Sequence, residues 1–202
     1  MPHNETKISA MQFMNHLKNA GFTDEATCLQ LLEKVPDINA LDDAHNPALI
    51  QAVKLDYTNL AQKLLERGVD PNAKGNKDDT ALLRSAYHCN TDLVRALIDK
   101  GANVNDANIY GHTPLMVAVA QDIEESMEII SLLIENGADI HARDKYNKTA
   151  LDMVSPERAT QITLLEQESI KKKFRDTAES GTQRRRKIHR RRKKNGPDAK
   201  VT

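Results

Sequence analysis

Leu97-Ile98-Asp99-Lys100-Gly101-Ala102-Asn103-Val104-Asn105 decides the fold, because it is the middle copy of a phrase that recurs. Leu64-Leu65-Glu66-Arg67-Gly68-Val69-Asp70-Pro71-Asn72 precedes it by 33 residues, and Leu133-Ile134-Glu135-Asn136-Gly137-Ala138-Asp139-Ile140-His141 follows it by 36. A second phrase, Pro47-Ala48-Leu49, Thr80-Ala81-Leu82, Thr113-Pro114-Leu115 and Thr149-Ala150-Leu151, advances by 33, 33 and 36. Two phrases locked in phase at this period mark a stack of supersecondary units, each of which buries its apolar face only against its neighbours.

Thr80 to Asn105 is the clearest unit. Leu82 and Ala86, then Leu93, Val94, Leu97 and Ile98, fall at helical spacing on two segments separated by Cys89-Asn90-Thr91-Asp92. The spacing predicts two antiparallel helices, the first capped by Thr80 and the second by Thr91 or Asp92. Gly101 ends the second, since glycine enters the left-handed conformation without a steric penalty. Eight-residue steps from Asn39 to Pro47, Asn72 to Thr80, Asn105 to Thr113 and His141 to Thr149 give the connectors one geometry. Gly111 and Asn147 sit two residues before the threonine, where a positive φ is easy; His45 and Asp78 hold that place with some strain. Leu64, Leu65, Leu97, Ile98, Leu133 and Ile134 are expected to form the core between units.

Thr113-Pro114-Leu115-Met116-Val117-Ala118 resembles the ankyrin repeat's Thr-Pro-Leu-His-x-Ala except at the His position, and Gly137-Ala138-Asp139-Ile140 resembles its Gly-Ala-Asp-Val. The resemblance implies an all-α ankyrin-repeat solenoid of stacked helix-turn-helix units with β-turn connectors. The expected organisation is a degenerate N-terminal capping repeat over 1–41, three repeats over 42–148 (about 42–74, 75–107 and 108–143), a truncated C-terminal capping repeat over 149–170 and a disordered basic tail over 171–202. The first unit keeps only Leu31-Leu32 and Asp37-Ile38-Asn39 in register, as a terminal repeat with one neighbour allows. In the last, Ser155-Pro156-Glu157 reads as a helix start with Pro at its first position.

The chain of 202 residues balances 29 basic against 29 acidic residues, but the signs are segregated. Residues 171–202 hold 14 Lys or Arg and 3 acids, which leaves 15 basic and 26 acidic residues in the body. Such asymmetry points to a polyanionic partner for the tail. Cys28 and Cys89, 61 residues apart, make neither a disulfide framework nor a Cys-x-x-Cys site, and a reducing compartment is the simpler inference. No secretory apolar core and no membrane span is evident, so the expectation is an intracellular protein, cytoplasmic or nuclear, or a secreted effector acting inside a host cell if the source is bacterial.

In ankyrin repeats partners usually meet the concave face, formed by connector tips and the exposed side of each first helix. Carried onto this sequence, the tips are Asp43, Ala44 and Asn46; Asn76, Lys77 and Asp79; Ile109, Tyr110 and His112; Lys145, Tyr146 and Lys148. The helix faces are Lys54 and Leu55, Tyr87 and His88, Ala120 and Gln121. Three of the four tyrosines of the chain fall on these positions. Tyrosine buries much area at little entropic cost while its hydroxyl stays wet, so Tyr87, His88, Tyr110 and His112 are the expected centre of a protein-binding surface, with Lys77, Lys145 and Tyr146 beside them. Sideways packing of the tyrosines on adjacent units is the competing reading.

Lys171-Lys172-Lys173-Phe174-Arg175 is expected to end the last helix, with Ser180-Gly181-Thr182 breaking it. Arg184, Arg185, Arg186, Lys187, Arg190, Arg191, Arg192, Lys193 and Lys194 follow, nine basic residues in eleven. Such a block repels itself and buries little, which is the ground for expecting disorder. Four readings stay open: a bipartite nuclear localisation signal read by importin; RNA or DNA backbone binding, for which no interleaved aromatic is present; adhesion to anionic membrane, without a lipidation motif; and a solubilising tail folded back on the acidic body.

The chemistry of an enzyme is poorly represented. The His residues at 3, 16, 45, 88, 112, 141 and 189 form no His-x-x-x-His, and no phosphate-cradling glycine loop is present. A reactive Cys89 thiol beside His88 lacks a third, orienting group, and the acids within 120–126 suit a helix start better than a cation. The expected protein is a monomeric, non-enzymatic interaction scaffold without cofactor, metal or small-molecule substrate. Its repeats dock another protein and its tail gives a nuclear address or a polyanion tether; the alternative makes RNA or DNA binding by the tail primary and the repeats a recruiting platform.

Overall fold

The computed structural model describes residues 10–18, 24–35, 47–121 and 123–194, with side chains described in part at the N-terminus and up to Thr177 at the C-terminus. Among the described residues there is no strand. The helices are α1 (Ala10–Lys18), α2 (Glu25–Leu32), α3 (Ala48–Lys54), α4 (Thr58–Glu66), α5 (Ala81–Tyr87), α6 (Thr91–Asp99), α7 (Pro114–Ala120), α8 (Ser126–Glu135) and α9 (Pro156–Lys194). Short 3-10 turns occupy Asn76–Asp78 and Ala150–Met153.

Two helical layers follow from the sequence period. The inner layer stacks α1 on α3, α3 on α5 and α5 on α7, and the Ala150–Met153 turn takes the next inner place against α7. The outer layer stacks α2, α4, α6, α8 and α9 in the same order. Leu64, Leu97 and Leu133 are wholly buried between the layers; Leu65 and Ile134 are nearly so and Ile98 is half-buried. Phe13, Met14, Leu17, Cys28 and Leu32 extend the core into α1 and α2.

Thr80 Oγ1 accepts the Leu83 N–H at 3.2 Å and Thr113 Oγ1 the Met116 N–H at 3.3 Å, which satisfies an amide that a helix start leaves unpaired. The cap of α6 differs from the sequence reading. It is Asn90, whose Oδ1 accepts the Leu93 N–H at 3.1 Å, and Thr91 is already helical. Asn90 Nδ2 meanwhile donates to Thr58 Oγ1 of the preceding unit at 2.7 Å, a link neither Thr91 nor Asp92 makes.

Each outer helix from α4 to α8 ends on a glycine of positive φ. Gly101, at φ +87°, donates to Ile98 O at 2.9 Å while Ala102 N–H reaches Leu97 O at 2.9 Å, the paired bonds of a Schellman ending. Inner helix α5 ends the same way on Cys89, at φ +54°, with Asn90 N–H on Ser85 O at 3.0 Å.

Asn72 and Asn105 stitch successive units together. Asn72 Oδ1 accepts the Asn103 N–H at 2.7 Å while its Nδ2 donates to Gly101 O at 3.1 Å. Asn105 repeats this with Asp139 N–H at 2.9 Å and Gly137 O at 3.0 Å. His141 takes the equivalent place in the last unit, where the inner helix shrinks to the 3-10 turn.

The tail departs from expectation. Helix α9 does start at Pro156, with Ser155 Oγ accepting the Arg158 N–H at 3.3 Å, but the backbone remains helical through Ser180-Gly181-Thr182 to Lys194. Arg, Lys, Gln and Glu are good helix formers, and one interior glycine costs about 1 kcal/mol relative to Ala. Gly181 does not stop the helix: the glycines that do each sit at positive φ with the bonding of a closing turn behind them. Residues 195–202 lie outside the described part, as do Asp43, Ala44, His45 and Asn46.

Candidate protein-docking surface

The connector tips are built on side-chain-closed turns. Asn108 Oδ1 accepts the N–H groups of Tyr110 at 2.9 Å and His112 at 3.1 Å. Asp144, one unit on, accepts those of Tyr146 at 2.8 Å and Lys148 at 2.9 Å through Oδ1. Gly75 stands at the corresponding place in the earlier unit and offers no such acceptor. There the backbone instead forms a 3-10 turn with Lys77 at φ +62° and Asp78 at +56°. Gly111 at +79° and Asn147 at +63° have the positive φ that their position calls for.

Neighbouring tips also join through the backbone. Ile109 N–H donates to Lys77 O and Lys145 N–H to Tyr110 O, each at 3.0 Å. This close approach explains Gly111: a Cβ there would lie 2.9 Å from Asp144 Cα.

The junction gathers several of the residues singled out in the sequence. Lys77 Nζ lies 5.8 Å from the Tyr110 ring centroid, within the range of a cation–π contact. Tyr110 and His112 rings are 5.9 Å apart, and His112 Nε2 lies 3.7 Å from Asp144 Oδ2. Tyr87 and His88 form a separate edge-to-face pair, 5.4 Å apart, where α5 ends. Lys145 and Tyr146 are exposed beyond Asp144. The tyrosines do not disappear into the stack: Tyr87 is 56% exposed, Tyr110 39% and Tyr146 74%. The contact with Lys77 gives Tyr110 some of the sideways packing of the competing reading.

Sequence reasoning missed the lysine–tyrosine contact, since Lys77 and Tyr110 stand 33 residues apart. Their shared repeat position was the available signal. It also missed Asp144, a tip acid whose side chain is buried.

Burial, together with nearby Glu125, raises the Cys89 thiol above its ordinary range, so it is held protonated at neutral pH. Its half-buried Sγ faces Ala86 O at 3.8 Å, which agrees with a turn residue rather than a nucleophile. Among the described residues no three His, Cys, Asp or Glu side chains are grouped to hold a metal ion, and no helix is long and apolar enough to cross a membrane. Lys171, Lys172 and Lys173 are exposed on α9, and the backbone that carries Arg184 to Lys194 is helical.

Residues 49–144 match the family model for ankyrin repeats, in three copies. This segment is an ankyrin-repeat array. Part of the chain is 42% identical over 53 residues to the ankyrin repeat protein YahD of Escherichia coli, covering 25% of this chain and 26% of that protein. An ankyrin repeat protein of Acanthamoeba polyphaga mimivirus is 39% identical over 51 residues, 24% of this chain and 32% of that protein. The matches thus span between a quarter and a third of these relatives. Ankyrin repeats are a general protein–protein interaction module, typically without catalysis.

Proposed function

We propose that the array docks a protein partner on the face made by its tips and inner helices, with Tyr87, His88, Tyr110 and His112 at the centre and Lys77, Lys145 and Tyr146 around them. The observation that carries this reading is the exposed junction of Lys77, Tyr110 and His112, fixed by hydrogen bonds between neighbouring tips. A surface already rigid pays little ordering entropy on binding, and half-exposed tyrosines gain burial there. The decisive variant is Tyr87→Ala with Tyr110→Ala in the full chain. With an unchanged thermal melt, it loses the protein that the wild type captures; undiminished capture by the folded variant overturns the reading.

The basic run of α9 serves in this proposal as an address, read by a nuclear import receptor. Fusing residues 168–202 to a reporter in a nucleated cell tests it: nuclear accumulation is expected, and an unchanged cytoplasmic distribution removes it. A second reading is favoured by the nine basic residues on one helical segment, which suit a phosphate backbone. In that case affinity for RNA or DNA falls steeply with salt and vanishes when the basic residues of 184–194 are replaced by alanine.

A further inference from the structure

The exposed charge of the array is divided between its two faces. On outer helices α6 and α8 the exposed residues include Asp92, Asp99, Glu128 and Glu135, opposed by Arg95 and by Lys100 at the end of α6. The body to residue 170 carries 26 acids against 15 basic residues, so an acidic surface is its general condition. The tips depart from it. Lys77, Lys145 and Lys148 are exposed there, together with Tyr110, Tyr146 and Ile109.

Two of the three acids at these tips are engaged within the protein. Asp144 is buried and accepts two backbone N–H groups through Oδ1. Asp79 is ion-paired with Arg84 of α5, and Asp78 remains exposed. The surface from Lys77 to Lys148 is therefore basic and partly apolar on a body of opposite sign.

The geometry points to an acidic, extended protein segment as the ligand of these tips, with its carboxylates on Lys77, Lys145 and Lys148 and its apolar side chains on Ile109, Tyr110 and Tyr146. This inference rests on the docking reading and adds the chemistry of the partner. Charge of opposite sign would bring such a segment to this face and leave the acidic sides of α6 and α8 unoccupied. Nucleic acid fits less well. Tyr110 already faces Lys77 and His112, which hinders base stacking, and a long phosphate backbone would meet the acidic body on either side.

The test uses the full chain and three probes: a short peptide alternating Glu and Leu, its Gln-for-Glu counterpart, and single-stranded oligouridylate. Calorimetry measures affinity, and amide hydrogen exchange separates the tips from α9. The acidic peptide is expected to protect residues 109–112 and 145–148. Replacing Lys77, Lys145 and Lys148 by Ala weakens its binding at the tips on the order of tenfold, as does using the Gln peptide. Control replacements Lys63→Ala, Arg95→Ala and Lys100→Ala on the outer side leave it within about twofold. Protection confined to 171–194, equal tip binding of the Gln peptide, or oligouridylate in place of the peptide at the tips overturns the inference. Failure of the docking reading looks different. If the tyrosine pair variant loses the captured protein while the lysine variant keeps it, docking stands and the acidic class falls; if both keep it, docking itself fails.

Discussion

The repeat body and the far half of α9 are both helical, but their order has different sources. In the body a helix of seven to ten residues is too short to persist alone, and it is held by neighbours in its own layer and by its partner in the hairpin. The start of α9 is held in this way too: Ile162 is wholly buried and Ser169 nearly so. From Lys171 to Thr177 every side chain is exposed, Phe174 included, so helix propensity and length hold that stretch. The same secondary structure is thus cooperative in the body and local over 171–177, a contrast on which the proposed division between a docking array and a basic segment draws.

Leu97→Ala should distinguish the two regions most strongly. Removing this wholly buried side chain from α6 is expected to cost about 2 to 5 kcal/mol and to lower the melting of the whole array, while exchange of amides beyond Ile170 stays unchanged. Thermal denaturation with residue-resolved hydrogen exchange measures both. A smaller loss, about 1 to 2 kcal/mol, is expected for Asn105→Ala, which removes both bonds to Asp139 N–H and Gly137 O. Chemical denaturation should also show looser coupling between the units it joins; an unchanged midpoint would remove the stitching role.

The period made the stacking legible, because burial at Leu64, Leu97 and Leu133 follows directly from their phase. Thr80 was legible as a cap, and Thr113 at the same repeat position caps α7 in the same way. Asn90 was not, since Thr91 and Asp92 are equally good local acceptors and the choice depends on the bond from Asn90 to Thr58 in another unit. The recurrence of Asn at 72 and 105 was a visible signal, but its two-point attachment to the next unit required the fold. At the docking surface, tip exposure was readable from phase, whereas the approach of Lys77 to Tyr110 depends on the contact between units. The end of α9 was misread because Gly181 was given the stopping power of Gly101 without its closing hydrogen bonds.

Gly181→Ala addresses that last difference. It should stabilise the far helix locally by about 1 kcal/mol, raising helical circular dichroism while leaving the array's melting temperature in place. A shift of the main transition would show that the distal helix is coupled to the body after all.

The smallest effect expected is confined to acid. Thr149 donates both its N–H and its hydroxyl to Asp152 Oδ2 at 2.8 Å, which holds the Asp152 carboxyl below its ordinary value of 3.8. A depressed folded pKa contributes stability above the unfolded value and loses it as pH falls through the folded one. Asp152→Asn should therefore lower stability at neutral pH and flatten this part of the acid limb, as a pH series of melting temperatures would measure.

The most direct measurement sets the two regions against each other in binding. The captured partner is titrated calorimetrically against the full-length wild type, the Tyr87→Ala, Tyr110→Ala variant, and a variant with Arg184, Arg185, Arg186 and Lys187 changed to Ala. The tyrosine variant should bind on the order of tenfold or more weakly, while the tail variant stays within about twofold of wild type. Wild-type affinity in the folded tyrosine variant, with the loss falling on the tail variant, would contradict docking by the array.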